Sequence, residues 1–197
     1  MGIKINSGWC RGLTLKSPPA LHTRPTASRT REAVWNSLQF ELQGIEIIDL
    51  FCGSGAVGLE AVSRGARTCL FVDNSSGAFR CLNDNIKQVK QRALSSDRQI
   101  ELRSEKAEAV QVLKRLKEDS KDLVWMDPPY DIVPQELALL APLAHKCLRQ
   151  DGKFIVECDE RGVAAVTALM DSPEWLEVKH KRYGKTYITI MQKRANI

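Results

Sequence analysis

The period of the apolar positions changes at residue 44. Before it, Val34, Trp35, Leu38 and Leu42 form one stripe at helical spacing, which predicts a helix over residues 28–42. Thr26 or Ser28 would cap its start. Arg29, Glu32 and Asn36 fall together on the opposite face. Upstream, residues 3–16 read as two short strands around Gly8-Trp9-Cys10-Arg11-Gly12, broken off by Ser17-Pro18-Pro19. A piece that short has no core of its own and is expected to pack on the downstream chain.

From residue 44 the pattern alternates. Strands are expected at Ile45–Phe51, Thr68–Asp73, Ile100–Leu102, Leu123–Asp127 and Lys153–Cys158. Between them, helices are expected at Ala56–Arg64, Ser75–Gln91, Glu105–Lys117 and Pro134–Leu148. Apolar strands alternating with helices mean a parallel sheet covered on both faces. The end differs: Trp175–Arg182 and Lys185–Gln192 flank Tyr183-Gly184 and read as a hairpin. The expected fold is α/β, doubly wound and mostly parallel, with a C-terminal antiparallel hairpin and a short N-terminal β extension. By pattern the chain divides into an extension (1–22), a helical segment (23–43) and a core (44–197), one domain overall.

Composition narrows the chemistry. The net charge of +5, from 29 basic and 24 acidic residues, permits a polyanionic partner without requiring one. The six cysteines form no Cys-x-x-Cys pair and there are three histidines, so a zinc site is not expected. Cys69 within an apolar run and Cys158 just after one read as reduced core thiols. No run approaches the roughly 20 apolar residues of a membrane span, and Met1-Gly2-Ile3-Lys4 opens no signal-peptide core. The expectation is a soluble, cytoplasmic protein.

Two motifs carry chemistry, each at the end of an apolar run. In the first, Gly53, Gly55 and Gly58 spell G-x-G-x-x-G, and Asp73 ends the next strand twenty residues after Gly53. That spacing alone matches a dinucleotide fingerprint. Asp49, ahead of the glycines, argues against it, because a carboxylate pointing into the site would repel a pyrophosphate. The same carboxylate suits a cofactor bearing an ammonium group and no phosphate, as S-adenosylmethionine does. Asp73 would accept hydrogen bonds from ribose hydroxyls.

The second motif is Asp127-Pro128-Pro129-Tyr130, directly after Leu123-Val124-Trp125-Met126. The amino nitrogen of a nucleobase is a poor nucleophile, because its lone pair is delocalised into the ring. The Asp127 side chain and the Pro128 carbonyl can each accept one of its N–H bonds, which aims the lone pair and stabilises charge developing on nitrogen. The two prolines stiffen the turn, and Tyr130 offers a ring to a flipped-out base.

These residues bear a family resemblance. With Ser7-Gly8-Trp9, Arg11-Gly12, Arg24-Pro25-Thr26, Arg31-Glu32-Ala33, Gly58-Leu59-Glu60-Ala61, Ser63-Arg64-Gly65-Ala66 and Tyr183-Gly184, the chain resembles the bacterial small-subunit (16S) rRNA guanine-N2 methyltransferases over nearly its whole length. These are class I S-adenosylmethionine-dependent enzymes. The Arg24–Asn36 segment is the most specific part; the other two motifs are shared with amino-methyltransferases of adenine, cytosine and glutamine.

The resemblance implies a seven-stranded, Rossmann-like methyltransferase sheet, and the expectation is a monomer. It implies S-adenosyl-L-methionine as methyl donor, S-adenosyl-L-homocysteine as product and no metal. The implied partner is 16S rRNA within an assembled or assembling small ribosomal subunit, with no membrane. Asp49, Phe51, Gly53, Ser54, Gly55, Asp73 and Asn74 would hold the cofactor, and Asp127, Pro128, Pro129 and Tyr130 would carry the chemistry. Arg24, Thr26, Arg29, Arg31 and Asn36 would lie near the RNA. Around the third strand the family often has a small polar or acidic residue followed by Ala; the equivalent here is Lys106-Ala107, or Glu105.

Three rivals are weaker. A DNA methyltransferase acting on adenine N6 or cytosine N4 would have little room for a target-recognition domain. A non-catalytic RNA-binding assembly factor would not need the intact Asp-Pro-Pro-Tyr turn. An NAD oxidoreductase is disfavoured by Asp49. The basic run Lys179-His180-Lys181-Arg182 with Lys185 reads equally as a solvated edge or an RNA contact, and His22 and His145 receive no role.

Overall fold

A computed structural model describes residues 2–18 and 25–194, and only the backbone of 25–27. The strands are β1 (Ile3–Lys4), β2 (Thr14–Leu15), β3 (Glu46–Leu50), β4 (Thr68–Asp73), β5 (Glu101–Lys106), β6 (Lys121–Met126), β7 (Leu148–Cys158), β8 (Trp175–Tyr183) and β9 (Thr186–Lys193). The helices are α1 (Pro25–Ser37), α2 (Ala56–Ser63), α3 (Ser76–Ser95), α4 (Ala109–Arg115), α5 (Val133–Cys147) and α6 (Val163–Met170). The seven strands after β2 form one mixed sheet in the order β5-β4-β3-β6-β7-β9-β8. The α/β, Rossmann-like class expected from the alternation is the class observed.

Contacts divide the chain into two compact units, Met1–Ala107 and Glu108–Ile197. The boundary falls inside the 44–197 segment that the sequence pattern treats as one core.

In the first unit β3, β4 and β5 are parallel. Ile47, Ile48, Leu50, Phe71 and Val72 of β3 and β4, with Leu59 and Val62 of α2 and Leu82 and Val89 of α3, are buried to 1% exposure or less. Each fully buried aliphatic side chain of this kind contributes about 1.5–3 kcal/mol. Ser75 caps α3, its hydroxyl accepting from Ala78 N. β1 and β2 pair antiparallel, and the turn between them is clamped to the end of α2. Ser63 Oγ donates to Ser7 O (2.7 Å) and accepts from Cys10 N (2.8 Å), while Trp9 Nε1 donates to Val62 O (3.0 Å). Gly8 makes that approach feasible: a Cβ there would lie 1.8 Å from the Ser63 carbonyl oxygen.

In the second unit β6 and β7 are parallel, and β9 runs antiparallel between β7 and β8. Val124, Phe154, Val156 and Met191 are fully buried. The ring of Trp175 packs on Phe154 and edge-on to His145 of α5.

Several boundaries differ from expectation. α1 begins at Pro25, so Thr26 and Ser28 lie inside the helix and do not cap it; proline is favoured in a first turn, where its missing N–H is no loss. β5 continues to Lys106 and the following helix starts at Ala109, so the expected helix at Glu105–Lys117 is shorter by several residues at its start. β7 starts at Leu148, where a helix end was expected. Helix α6 has no counterpart among the expected elements.

Candidate active site

Both motifs sit just past the carboxyl ends of their strands, one in each unit. In the first unit, β3 delivers Asp49 and Leu50, and the chain then turns sharply. Phe51 and Gly53 both have φ of 56° and Gly55 has 77°. Phe51 is the costly member, since a non-glycine residue there carries about 1–2 kcal/mol of strain. The turn is held by Cys52 N–H donating to Val72 O (3.1 Å) and Gly55 N–H to Cys52 O (2.8 Å). Behind it stands Asn85, fully buried in α3. Its Nδ2 donates to Ser54 O and Lys16 O (both 2.9 Å), and its Oδ1 accepts from Lys16 N (2.8 Å).

The three glycines do different work. A Cβ on Gly53 would meet nothing within 4 Å, so this is where a ligand can approach the backbone. A Cβ on Gly55 would lie 2.5 Å from Leu82 Cδ1, and one on Gly58 2.5 Å from Cys69 Sγ. Those two glycines are demanded by packing of the unit itself.

Asp49 and Asp73 are the two carboxylates of this half. Asp49 is 1% exposed, and its Oδ2 accepts from Gly58 N–H at 2.9 Å. Burial pushes its pKa up to about 7, helped by the charge of Asp73 and opposed by the Gly58 hydrogen bond and by Arg31. A carboxyl poised there is held ionised by an incoming cation. Asp73 Oδ2 accepts from Gly53 N–H and its Oδ1 from Ser75 N–H, each at 2.8 Å. Lys106 pairs in register with Asp73, and its Nζ donates to Ser76 Oγ at the start of α3. Asn74 is exposed beside Asp73, and Ala107 is half-buried beyond β5. The cofactor residues named from the sequence are thus gathered on β3, β4, β5 and the loops after them.

The residues expected near RNA divide. Arg24 and the Thr26 side chain lie outside the described residues. Arg29 is exposed on α1. Asn36 is exposed, and its Oδ1 accepts from Arg64 Nη1 at 2.7 Å. Arg31 does not face solvent and is a correction to the expected RNA set: at 6% exposure its Nε donates to Glu60 Oε2 (2.8 Å) and its Nη2 to Lys4 O (3.0 Å). Arg64 Nη2 reaches the other oxygen of Glu60 at 2.9 Å. This buried Arg31–Glu60–Arg64 brace ties α1 to α2. Its signal was visible in sequence, because Glu60 is the one charged residue in the otherwise apolar α2 and a buried carboxylate demands a cation.

In the second unit β6 ends at Met126 and Asp127-Pro128-Pro129 come next. Asp127 is half-buried, Pro128 buried and Pro129 exposed. The Pro129 carbonyl accepts from Ile132 N–H (3.1 Å), closing a 3-10 turn at Tyr130–Ile132. Tyr130 is pinned: its hydroxyl lies 3.1 Å from Thr186 Oγ1 of β9 and donates to Glu157 Oε1 of β7 at 3.4 Å. Burial, with the nearby Glu157 and Asp127 charges, pushes the phenol up to about 12, so it stays neutral. Thr186 and Glu157 are functional candidates that no sequence pattern singled out, since each becomes relevant only through strand pairing.

Residues 3–192 match a family described as conserved hypothetical protein 95. The chain belongs to that family. YlbH of Bacillus subtilis, named as a candidate rRNA methyltransferase, is 30% identical over 195 residues, covering 98% of this chain and all of that protein. Ribosomal RNA small subunit methyltransferase D of Escherichia coli is 27% identical, covering 98% of this chain and 91% of its own. A solved Escherichia coli structure, described as a candidate methyltransferase yhhF, matches with a TM-score of 0.77 at 24% identity, covering both chains fully. The family is thus one of methyltransferases, as the motif resemblance implied.

Proposed function

We propose that the protein transfers a methyl group from S-adenosyl-L-methionine to the exocyclic N2 amine of a guanine in small-subunit (16S) rRNA. The observation that carries this reading is the Asp127-Pro128-Pro129-Tyr130 turn at the end of β6, with Tyr130 anchored by Glu157 and Thr186. The names of the curated relatives support the rRNA acceptor.

The first unit fits the donor. Buried Asp49 and open-faced Gly53 suit an ammonium group brought close to backbone, and Asp73 suits ribose hydroxyls. Two carboxylates make the same place unsuited to a pyrophosphate. Phe51, Ser54, Gly55 and Asn74 shape the loop around the donor, and Lys106 and Ala107 border the adenine. When bound, the donor supplies an electrophilic methyl on a sulfonium, and S-adenosyl-L-homocysteine leaves; no metal takes part.

The chain's own work is binding and aim. Asp127 and the Pro128 carbonyl accept the two amine hydrogens, so the nitrogen lone pair is directed at the methyl carbon. As the new N–C bond forms and the methyl–sulfur bond breaks, the Asp127 carboxylate stabilises positive charge on nitrogen and then takes the surplus N–H proton, leaving a neutral methylated amine. Tyr130 stacks on the base, and Pro129 keeps the turn rigid. Arg24, Thr26, Arg29 and Asn36 hold the RNA, while Arg31 acts through the Glu60 brace that places α1. The acceptor is an assembled or assembling small subunit in the cytoplasm, approached by a monomer.

The test is transfer from labelled S-adenosylmethionine to unmodified small subunits, naked rRNA and DNA, with nucleoside mass spectrometry of the products. N2-methylguanosine from RNA alone is the expected product. Methyladenine or methylcytosine in DNA would replace this acceptor with a different one.

A further inference from the structure

The C-terminal hairpin carries a surface that the proposed chemistry does not use. Strand pairing settles which side chains share a face. Tyr183 lies opposite Thr186, Lys181 opposite Ile188 and Lys179 opposite Ile190, so these six stand on one face of the β8–β9 ribbon. Glu157 of β7, opposite Ile188, belongs to the same face. Tyr130 reaches it through its hydroxyl contacts to Thr186 and Glu157. Moving outward from Tyr130 across the sheet, the next ring is therefore Tyr183. Lys181 Nζ lies 5.3 Å from the centre of that ring.

The nine residues Lys179–Tyr187 contain four Lys or Arg and no Asp or Glu. Lys181 and Lys185 are exposed and Tyr183 is half-exposed. On the reverse face the Tyr187 ring already packs against His180 and Arg182. Charge along an edge strand protects against edge-to-edge association. Protection explains the lysines; it does not explain why a ring alternates with them on the face that Tyr130 touches. Cations interleaved with rings are what an unpaired nucleic-acid strand binds, through phosphate contacts and base stacking.

We propose that Tyr183, Lys181 and Lys185 form the docking site for the nucleotide next to the methylated one, with Tyr183 stacking its base and the two lysines holding the adjoining phosphates. The proposal rests on the RNA reading above. A base turned out towards Tyr130 leaves its neighbour unstacked, and this ribbon supplies the replacement surface.

The experiment compares the native chain with Tyr183→Leu, Tyr183→Phe, Lys181→Gln and Lys181→Arg, using unmodified small subunits and naked 16S rRNA. The readouts are RNA affinity against salt, kcat and KM for RNA, S-adenosylmethionine affinity and melting temperature. Tyr183→Leu is expected to raise KM for RNA about tenfold, with kcat little changed, and Phe to restore it. Lys181→Gln is expected to lower the slope of log Kd against log salt by about 0.7, and Arg to restore it. Donor affinity and melting temperature stay native. If the native chain methylates RNA while Tyr183→Leu keeps native KM and Lys181→Gln keeps the native salt slope, the docking site is overturned and the acceptor reading survives. If the native chain binds RNA with a hairpin-dependent slope but transfers no methyl to it, the acceptor reading falls and takes with it the assignment of this surface to the nucleotide beside a methylated one. A native chain that binds no RNA overturns both.

Discussion

The two motif-bearing halves are held in opposite ways. In the glycine loop of the first unit, backbone N–H groups of Gly53, Gly58 and Ser75 already bond to Asp49 and Asp73, Asn85 buttresses Ser54, and two of the three glycines are fixed by packing. The proline turn of the second unit combines covalent stiffness, the Ile132 N–H to Pro129 O bond and a phenol tethered at 3.1 and 3.4 Å. A loop built from many satisfied carboxylate and amide bonds is preorganised for a small charged ligand. A turn built on two prolines, a backbone bond and a doubly tethered phenol presents acceptors while keeping its tyrosine ring accessible. The comparison teaches that stability and chemistry should separate: damage to the first half should be felt in folding and donor affinity, and damage to the second in turnover.

The largest effect should come from the brace beneath the first half. Glu60→Ala leaves two guanidiniums with no carboxylate in a buried site, and should cost about 3–5 kcal/mol in urea unfolding. Retention of native stability would show that Arg31 and Arg64 find other partners. Next comes Asp127→Ala, which should lower kcat by about two to three orders of magnitude while calorimetric donor affinity stays within about twofold. Native turnover would rule out amine orientation by Asp127.

Asp49→Asn should break the symmetry between binding and folding. In the native protein the Asp49 pKa is raised from 3.8 to about 7. The folded state then holds a proton that the unfolded state has released, so this group's contribution to stability is full below the unfolded pKa and is lost as pH rises through about 7. The Asn variant should lack that slope, be more stable than the native chain at about pH 8, and bind the donor about tenfold or more weakly. Native donor affinity should itself climb between about pH 6 and pH 7.5, as the carboxylate becomes available to pair with the ammonium. A pH-independent affinity would remove Asp49 from the ammonium site. The smallest effect belongs to Thr186→Val, which removes one tether of Tyr130. It should lower kcat a few-fold and stability by about 0.5–1.5 kcal/mol, leaving donor affinity unchanged.

Much of the fold was legible because local pattern and tertiary need agree. Thr68–Asp73 is a strand with its expected bounds, since every residue of it pairs with a neighbouring strand and Cys69, Phe71 and Val72 are buried. The Val34, Trp35, Leu38 and Leu42 stripe is buried although α1 itself ends at Ser37. Where pattern failed, a physical reason is evident. Val163–Met170 has one polar side chain in eight, so it shows neither helical nor strand periodicity. β5 has Leu102 as its single apolar residue, and its length comes from pairing with β4. Arg31 reads as a solvent-facing cation until Glu60 is seen beside it.

The chain's own order of residues decided that strands and helices alternate, that a carboxylate precedes a glycine loop, and that Asp-Pro-Pro-Tyr comes after a strand, because each is a property of neighbouring positions. Which glycine faces open space, which carboxylate is desolvated, and which strands tether Tyr130 depend on residues 20 to 56 positions apart. Those were decided by packing and sheet register, since burial and hydrogen-bond geometry exist only once distant segments have met.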